Sequence, residues 1–165
     1  MAGHIHPPKI PSRHYKSIGQ IIVGWNLTEA LIASIIWKLH KIKDVRKGRA
    51  LIYGLQAGPK LKILAQSAKL FSKSPAMKQE LLQLMTRANN LKDERNLLAH
   101  GLWGHMPKEK PKLWKVFKMD ALDDGLLLIR KKIPAERDPA RIAQDIRRLN
   151  SDFKKFMTRN RIPPP

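Results

Sequence analysis

The apolar residues of this 165-residue chain recur in alternating steps of four and three over long stretches. That period commits most of the chain to helices that bury one face. Between Ser17 and Lys41 the apolar positions are Ile18, Ile22, Trp25, Ile32, Ile36 and Leu39, and Glu29 fills the one missing step. A basic connection (Lys41, Lys43, Arg46, Lys47, Arg49) leads to a short helix expected near 50–57. Gly58-Pro59 is expected to break it, because proline disfavours helical geometry in the residue before it. A third helix should turn Leu61, Leu64, Ala68 and Phe71 inward. Ser74-Pro75 then reads as an N-cap followed by a first-turn proline. Behind it runs the longest regular pattern, Met77, Leu81, Leu84, Ala88, Leu91, Arg95, Leu98 and Leu102, closed by Gly101 and Gly104. Asp138-Pro139 opens a last helix with Ile142, Ile146, Leu149, Phe153 and Phe156 on one side.

The segment 112–133 changes character. KLWKVFKM and GLLLIRKKI are β-prone runs joined by Leu122-Asp123-Asp124-Gly125, a turn-forming group that predicts a hairpin. The expected fold is therefore mainly α: a four- to five-helix antiparallel bundle with a small two-stranded β-hairpin insertion. Residues 1–16 are expected as an extended basic arm, 17–157 as the helical domain, and 158–165 as a basic, proline-rich tail.

Charge narrows the partners. Thirty-three Lys and Arg against thirteen Asp and Glu give a formal charge of +20. A field of that sign favours polyanions, phosphate backbones first among them. With no cysteine, disulfide scaffolds, Cys-rich zinc sites and thiol nucleophiles are excluded. Residues 18–37 carry one charge, Glu29, and resemble a membrane span in composition. Gln20, Asn26, Thr28 and Ser34 interrupt them, and a carboxylate at mid-span would cost roughly 2.5–3.5 kcal/mol in lipid. The expectation is a buried helix of a cytoplasmic protein with no membrane partner.

Two charged residues occupy steps that the helix pattern reserves for core, Glu29 and Arg95. A buried charge needs a partner, so Glu29 is expected to face the fourth helix and lie close to Arg95 or Arg87. Around Arg95 the sequence reads Asp93-Glu94-Arg95-Asn96-Leu97-Leu98-Ala99-His100-Gly101-Leu102-Trp103. Asn96 and His100 are four residues apart and share a helix face, while Arg95 and His100 are separated by about 140°. A long guanidinium stem spans that angle. A guanidinium, an amide and an imidazole at one helix end suit metal-free cleavage of RNA. Imidazole moves the proton of a 2′-hydroxyl or of the leaving 5′-oxygen, and guanidinium stabilises the charged phosphoryl oxygens. His100 equally fits a C-terminal capping histidine, favourable with the helix dipole.

The string Arg95-Asn96-x-x-x-His100-Gly101-x-Trp103 resembles the Arg-x4-His signature of the HEPN superfamily (higher eukaryotes and prokaryotes nucleotide-binding). The order of elements is similar too, with Trp25 and Glu29 in a long first helix and the motif near the end of another. The resemblance spans roughly residues 15–157, but only 95–103 are specific. It implies a four- to five-helix bundle, often a homodimer, acting as a metal-independent endoribonuclease. Toxins of toxin–antitoxin and other defence systems are among such proteins, so an antitoxin or regulatory partner is implied as well. Carried over, Arg95 and His100 are catalytic and Asn96 is the polar residue beside them, with no cofactor required. Nothing in the arm or the hairpin matches the family pattern.

Around this motif, Glu29 and Trp103 are supporting candidates, and Lys92, His105 and Lys108 are candidates for contact with RNA. Trp103 and Trp114 among lysines could stack on unpaired bases, or serve as half-buried core. The run Lys108, Lys110, Lys112, Lys115 and Lys118 fits a solvated basic face. A metal held by His100 and His105 would have to bridge a five-residue spacing with no carboxylate near that pair. Two other readings compete with the nuclease. One is a non-catalytic helical module binding RNA or a protein partner; the other is a structural bundle in which Glu29 and Arg95 are simply paired.

Overall fold

A computed structural model describes residues 12–52, 54–100, 102–104, 115–121, 127–133 and 139–165. Among these residues the chain forms five helices: α1 (Ser12–Leu39), α2 (Val45–Ile52), α3 (Ala57–Phe71), α4 (Pro75–His100) and α5 (Pro139–Arg159). Three short strands lie between α4 and α5: β1 (Leu102–Gly104), β2 (Lys115–Ala121) and β3 (Leu127–Ile133). The protein is a mainly helical bundle.

α1 starts five residues before the expected position, so Ser12 to Lys16 are helix and not arm; residues 1–11 lie outside the described set. Its buried stripe runs His14, Ser17, Ile21, Trp25, Thr28, Ile32, Ile35 and Leu39. That is the same four-three spacing as expected but rotated by one residue over the N-terminal half. Ile21 is fully buried where Ile22 was expected, and Ile22 is exposed. Thr28, not Glu29, takes the core step.

α2 begins at Val45, earlier than expected, and Gly58-Pro59 sits inside the first turn of α3. Proline is tolerated there because the first N–H groups of a helix have no intrahelical acceptor. Leu61, Leu64 and Ala68 point inward as expected, together with Ser67. Phe71 does not; it is exposed and meets the His40 ring edge-on at 4.8 Å. The Ser74 Oγ accepts the Met77 N–H at 3.2 Å, an N-cap bond that fixes the start of α4. α4 buries Met77, Leu81, Leu84, Ala88, Leu91 and Leu98, and α5 buries Ile142, Ile146, Leu149, Phe153 and Phe156. Trp25, Phe153 and Phe156 are among the largest fully buried side chains, and burial stabilises an aromatic of this size by roughly 2–3 kcal/mol.

The cross-helix contacts fix the sense of each helix. Glu29 meets Lys60, and His40 meets Ser67, so α3 runs the same way as α1. Gly24 faces Ile146 and Thr28 faces Asn150, so α5 also runs with α1. Arg87 meets Asp152 and Glu80 meets Arg159, so α4 runs against α5. The antiparallel expectation is thereby corrected: α4 alone opposes α1, α3 and α5. The cause is α2, which turns the chain back so that α3 starts beside the middle of α1. The Trp37 indole lies flat against Gly48, where a Cβ would stand 2.7 Å from the ring, and its Nε1–H donates to the Gly48 carbonyl at 3.1 Å.

Both α1 and α5 end in the same turn. The Ile42 N–H bonds to the Trp37 carbonyl and the Lys41 N–H to that of Lys38; Ile162 and Arg161 repeat the pattern on Met157 and Thr158. Lys41 and Arg161 hold the left-handed position at φ 55° and 54°, which is the Schellman geometry with a cation in place of glycine. The second turn buries Ile162, so the basic, proline-rich tail is anchored as far as that residue.

The strands form one antiparallel sheet in the order β1-β2-β3. Trp103 pairs with Val116, and Val116 with Ile133, with an irregularity between Lys118 and Met119. In place of the two-stranded hairpin expected over 112–133, the described residues hold three strands, because 102–104 adds to the edge of β2. Residues 112–114, the Leu122–Gly125 turn and the Asp138 cap fall outside the described set.

Candidate functional site

The Arg95–His100 segment is the last turn and a half of α4. Leu97 and Leu98 are buried and anchor this end, which turns Asn96 and His100 outward. Both are exposed. Arg95 is half-buried: its Nη1 donates to the Asn96 Oδ1 at 3.0 Å, and its Nε has no hydrogen-bond partner among the described residues. The structure thus brings Arg95 and Asn96 together. Among the described residues no hydrogen bond joins His100 to either. Lys92, one turn earlier, holds the Asn89 Oδ1 at 3.0 Å and lies 3.4 Å from Asp93. Trp103 belongs to β1, while His105 and Lys108 lie outside the described residues.

Glu29 is not part of this site. Its carboxylate accepts the Trp25 Nε1–H at 2.9 Å and the Lys60 ammonium at 2.5 Å. Neither Arg95 nor Arg87 is its partner. Arg87 pairs with Asp152 at 2.7 Å, and that guanidinium holds the Asp152 carboxyl below its usual range, with Lys155 adding to the pull. The physical reason lies in the register of α1. With Thr28 on the core step, Glu29 turns one residue further round, toward α3, where Lys60 rises from the first turn.

Sequence reasoning missed the polar contact inside the core. The Thr28 hydroxyl donates to the Asn150 Oδ1 at 2.7 Å, and the Asn150 amide donates to the Gly24 carbonyl at 2.8 Å. α1 and α5 approach closely there, since a Cβ on Gly24 would meet Ile146 at 3.0 Å. The signal was Asn150 beside the apolar face of the last helix. His40 and Ser67 form another pair, at 2.8 Å. Ser67 donates its own proton to the Ile63 carbonyl at 2.7 Å and is buried, so it is a structural hydroxyl, not an activated nucleophile. Among the described residues no group of three or more His, Asp or Glu is placed to hold a metal ion.

A groove of about 940 Å³ opens on the far part of α1. Ala30, Ala33 and Trp37 form its floor with Ile42 and Ile52, and Pro163, Pro164 and Pro165 edge it. α1 is also long and apolar enough to cross a membrane by length and composition, with 39% of its most apolar window buried within the bundle. No family model, curated protein or solved structure matches this chain.

Proposed function

We propose that the protein is a metal-independent endoribonuclease of HEPN type, acting in the cytoplasm, with Arg95 and His100 as its catalytic pair and Asn96 as the residue that positions the guanidinium. The observation that carries this reading is the open end of α4. Asn96 and His100 face solvent there, and among the described residues no carboxylate neutralises Arg95. A guanidinium held by one amide keeps donors for a phosphoryl oxygen. In the reaction His100 takes the proton of a 2′-hydroxyl, the 2′-oxygen attacks phosphorus, and the P–O5′ bond breaks. The 5′-oxygen leaves with a proton from the imidazolium so formed, giving a 2′,3′-cyclic phosphate and a 5′-hydroxyl. Arg95 stabilises charge that develops in the transition state. The charge of +20 supplies affinity for the RNA backbone. A homodimer that joins two such helix ends, and an antitoxin or other regulatory partner, belong to the same reading.

The test is incubation of the pure protein with total RNA in EDTA. Cleavage should proceed, and Arg95→Ala and His100→Ala should each lower its rate by about 10²–10⁴ while leaving RNA affinity nearly unchanged. Substrates with a 2′-deoxy sugar at the cut site should resist. Cleavage that survives His100→Ala, or that stops with EDTA, overturns the mechanism. A second reading, a helical module that binds RNA without cutting it, draws on the Arg95–Asn96 bond, to which His100 adds no hydrogen bond among the described residues. Binding without cleavage of any RNA would favour it.

A further inference from the structure

We propose that the groove on α1 is a docking site for an acidic amphipathic helix of a partner protein. This goes beyond the ribonuclease reading and uses none of its residues. Since α4 runs against α1, its C-terminal end lies toward the start of α1, and the groove lies toward the end of α1.

α1 packs against α2, α3, α4 and α5, and the face turned from them is exposed at Tyr15, Ile22, Val23 and Asn26 and half-buried from there to Trp37. In the groove that face presents Ala30, Ala33 and Trp37. Nearer the N-terminus the same face continues as Val23 at 71% and Tyr15 at 58% exposure. From Tyr15 to Trp37 is twenty-two residues, roughly 33 Å at 1.5 Å per residue. A mainly apolar strip of that length, interrupted by Asn26 and partly accessible to solvent, marks an interaction surface. A helix of about twenty residues matches it, and helix-in-groove binding reads out apolar anchors at steps of three and four.

The rim decides the partner's charge. Lys38, Lys41, Lys43 and Arg49 line the groove and are exposed, and among the described residues no carboxylate pairs with any of them. Among the described lining residues Glu29 is the one acidic side chain, and it is already matched by Lys60. Glutamates flanking an apolar stripe would meet these cations on closing. A second copy of this chain would set two rims of the same sign against each other. RNA stacks its bases on open aromatic faces, whereas the Trp37 ring is packed on Gly48 and its Nε1–H is used. A flat anionic bilayer would not reach the floor of a recess.

A synthetic amphipathic helix with a leucine stripe flanked by glutamates, fluorescently labelled, is titrated with the full chain at 0.15 M salt. A scrambled peptide of the same composition, a single-stranded RNA and phosphatidylglycerol vesicles are run beside it. The amphipathic peptide should bind, and the scrambled one at least about tenfold more weakly, because it keeps the charge and loses the stripe. Ala30→Arg, which blocks the floor while adding a positive charge, should lower peptide affinity by about tenfold or more, against the electrostatic trend. The pair Lys38→Glu and Arg49→Glu, both exposed, should do the same from the rim and keeps the test valid if Ala30→Arg does not fold. Equal binding of the scrambled peptide, or unchanged peptide affinity in the rim variant, overturns the proposal. So does a result in which only RNA or vesicles bind and the same variants weaken that binding.

Discussion

At the scale of single residues, the difference between Thr28 and Glu29 explains most of what the sequence concealed. Both fit the apolar period of α1 within one residue, and the period does not say which takes the core step. The structure buries Thr28 completely, because a hydroxyl can be satisfied by Asn150 inside the core. Glu29 sits at the boundary, where Trp25 and Lys60 serve its two oxygens. The Lys60 side chain is only 12% exposed and that of Glu29 23%, so removing the carboxylate strands an ammonium that water reaches poorly. Glu29→Ala should therefore destabilise the fold by about 2–3 kcal/mol, below the cost of a fully buried pair and above that of a surface one. Glu29→Gln should lose less, since an amide oxygen still accepts from Trp25. Urea unfolding measures both, and equal midpoints for wild type and Glu29→Ala would refute the account. Arg95 departs from its expected place for a related reason. Its position repeats the apolar step of α4, and its stem is half-buried up to a shielded Nε while its head bends back to Asn96.

Helices as elements were legible wherever the period was long and the caps were chemical. Ser74-Pro75 announced α4, and its side-chain cap is present. Pro139 likewise stands as the first residue of α5. The ends of α1 and α5 were harder, since each stops with a cation in the left-handed position where glycine is the usual signal. Nothing local marks Lys41 or Arg161 as a stop signal. Each turn is held by the apolar side chain next in sequence: Ile162 is buried in the core and Ile42 lines the α1 groove. A side chain in this conformation carries strain of roughly 1–2 kcal/mol that glycine lacks, offset in part by the greater freedom of glycine when unfolded. Lys41→Gly and Arg161→Gly should each raise stability by about 0.5–1 kcal/mol, read as a higher melting temperature at unchanged helicity. A loss of stability in both would mean that the charges at these helix ends, where the dipole favours cations, matter more than the strain. The direction of the helices was not legible at all. Four-three spacing is silent on whether neighbours run together or opposed, and the eight residues of α2 reversed the expected order.

For the whole molecule, the quantity that dominates is charge, and the sequence alone makes it fully readable. The fold adds where it is unspent. Among the described residues the carboxylates are mostly paired, Asp152 with Arg87 and Glu80 with Arg159 across helices, and most of the described Lys and Arg side chains face solvent. If these contact about six phosphates of a single strand, the logarithm of the affinity should fall with the logarithm of salt at a slope of roughly −4. That is a loss of about two to three orders of magnitude between 50 and 200 mM. The slope also separates the two sites. Arg95→Ala removes one cation of many, so it should change the slope by less than about one unit even while it abolishes cleavage. Lys38→Glu with Arg49→Glu should leave the cleavage rate at saturating RNA unchanged, because the α1 groove lies away from the end of α4. A flat salt profile, measured by fluorescence anisotropy on a labelled oligoribonucleotide, would show that the positive field does not serve RNA. The groove on α1, with its demand for an acidic partner, would then be the better guide to what this charge is for.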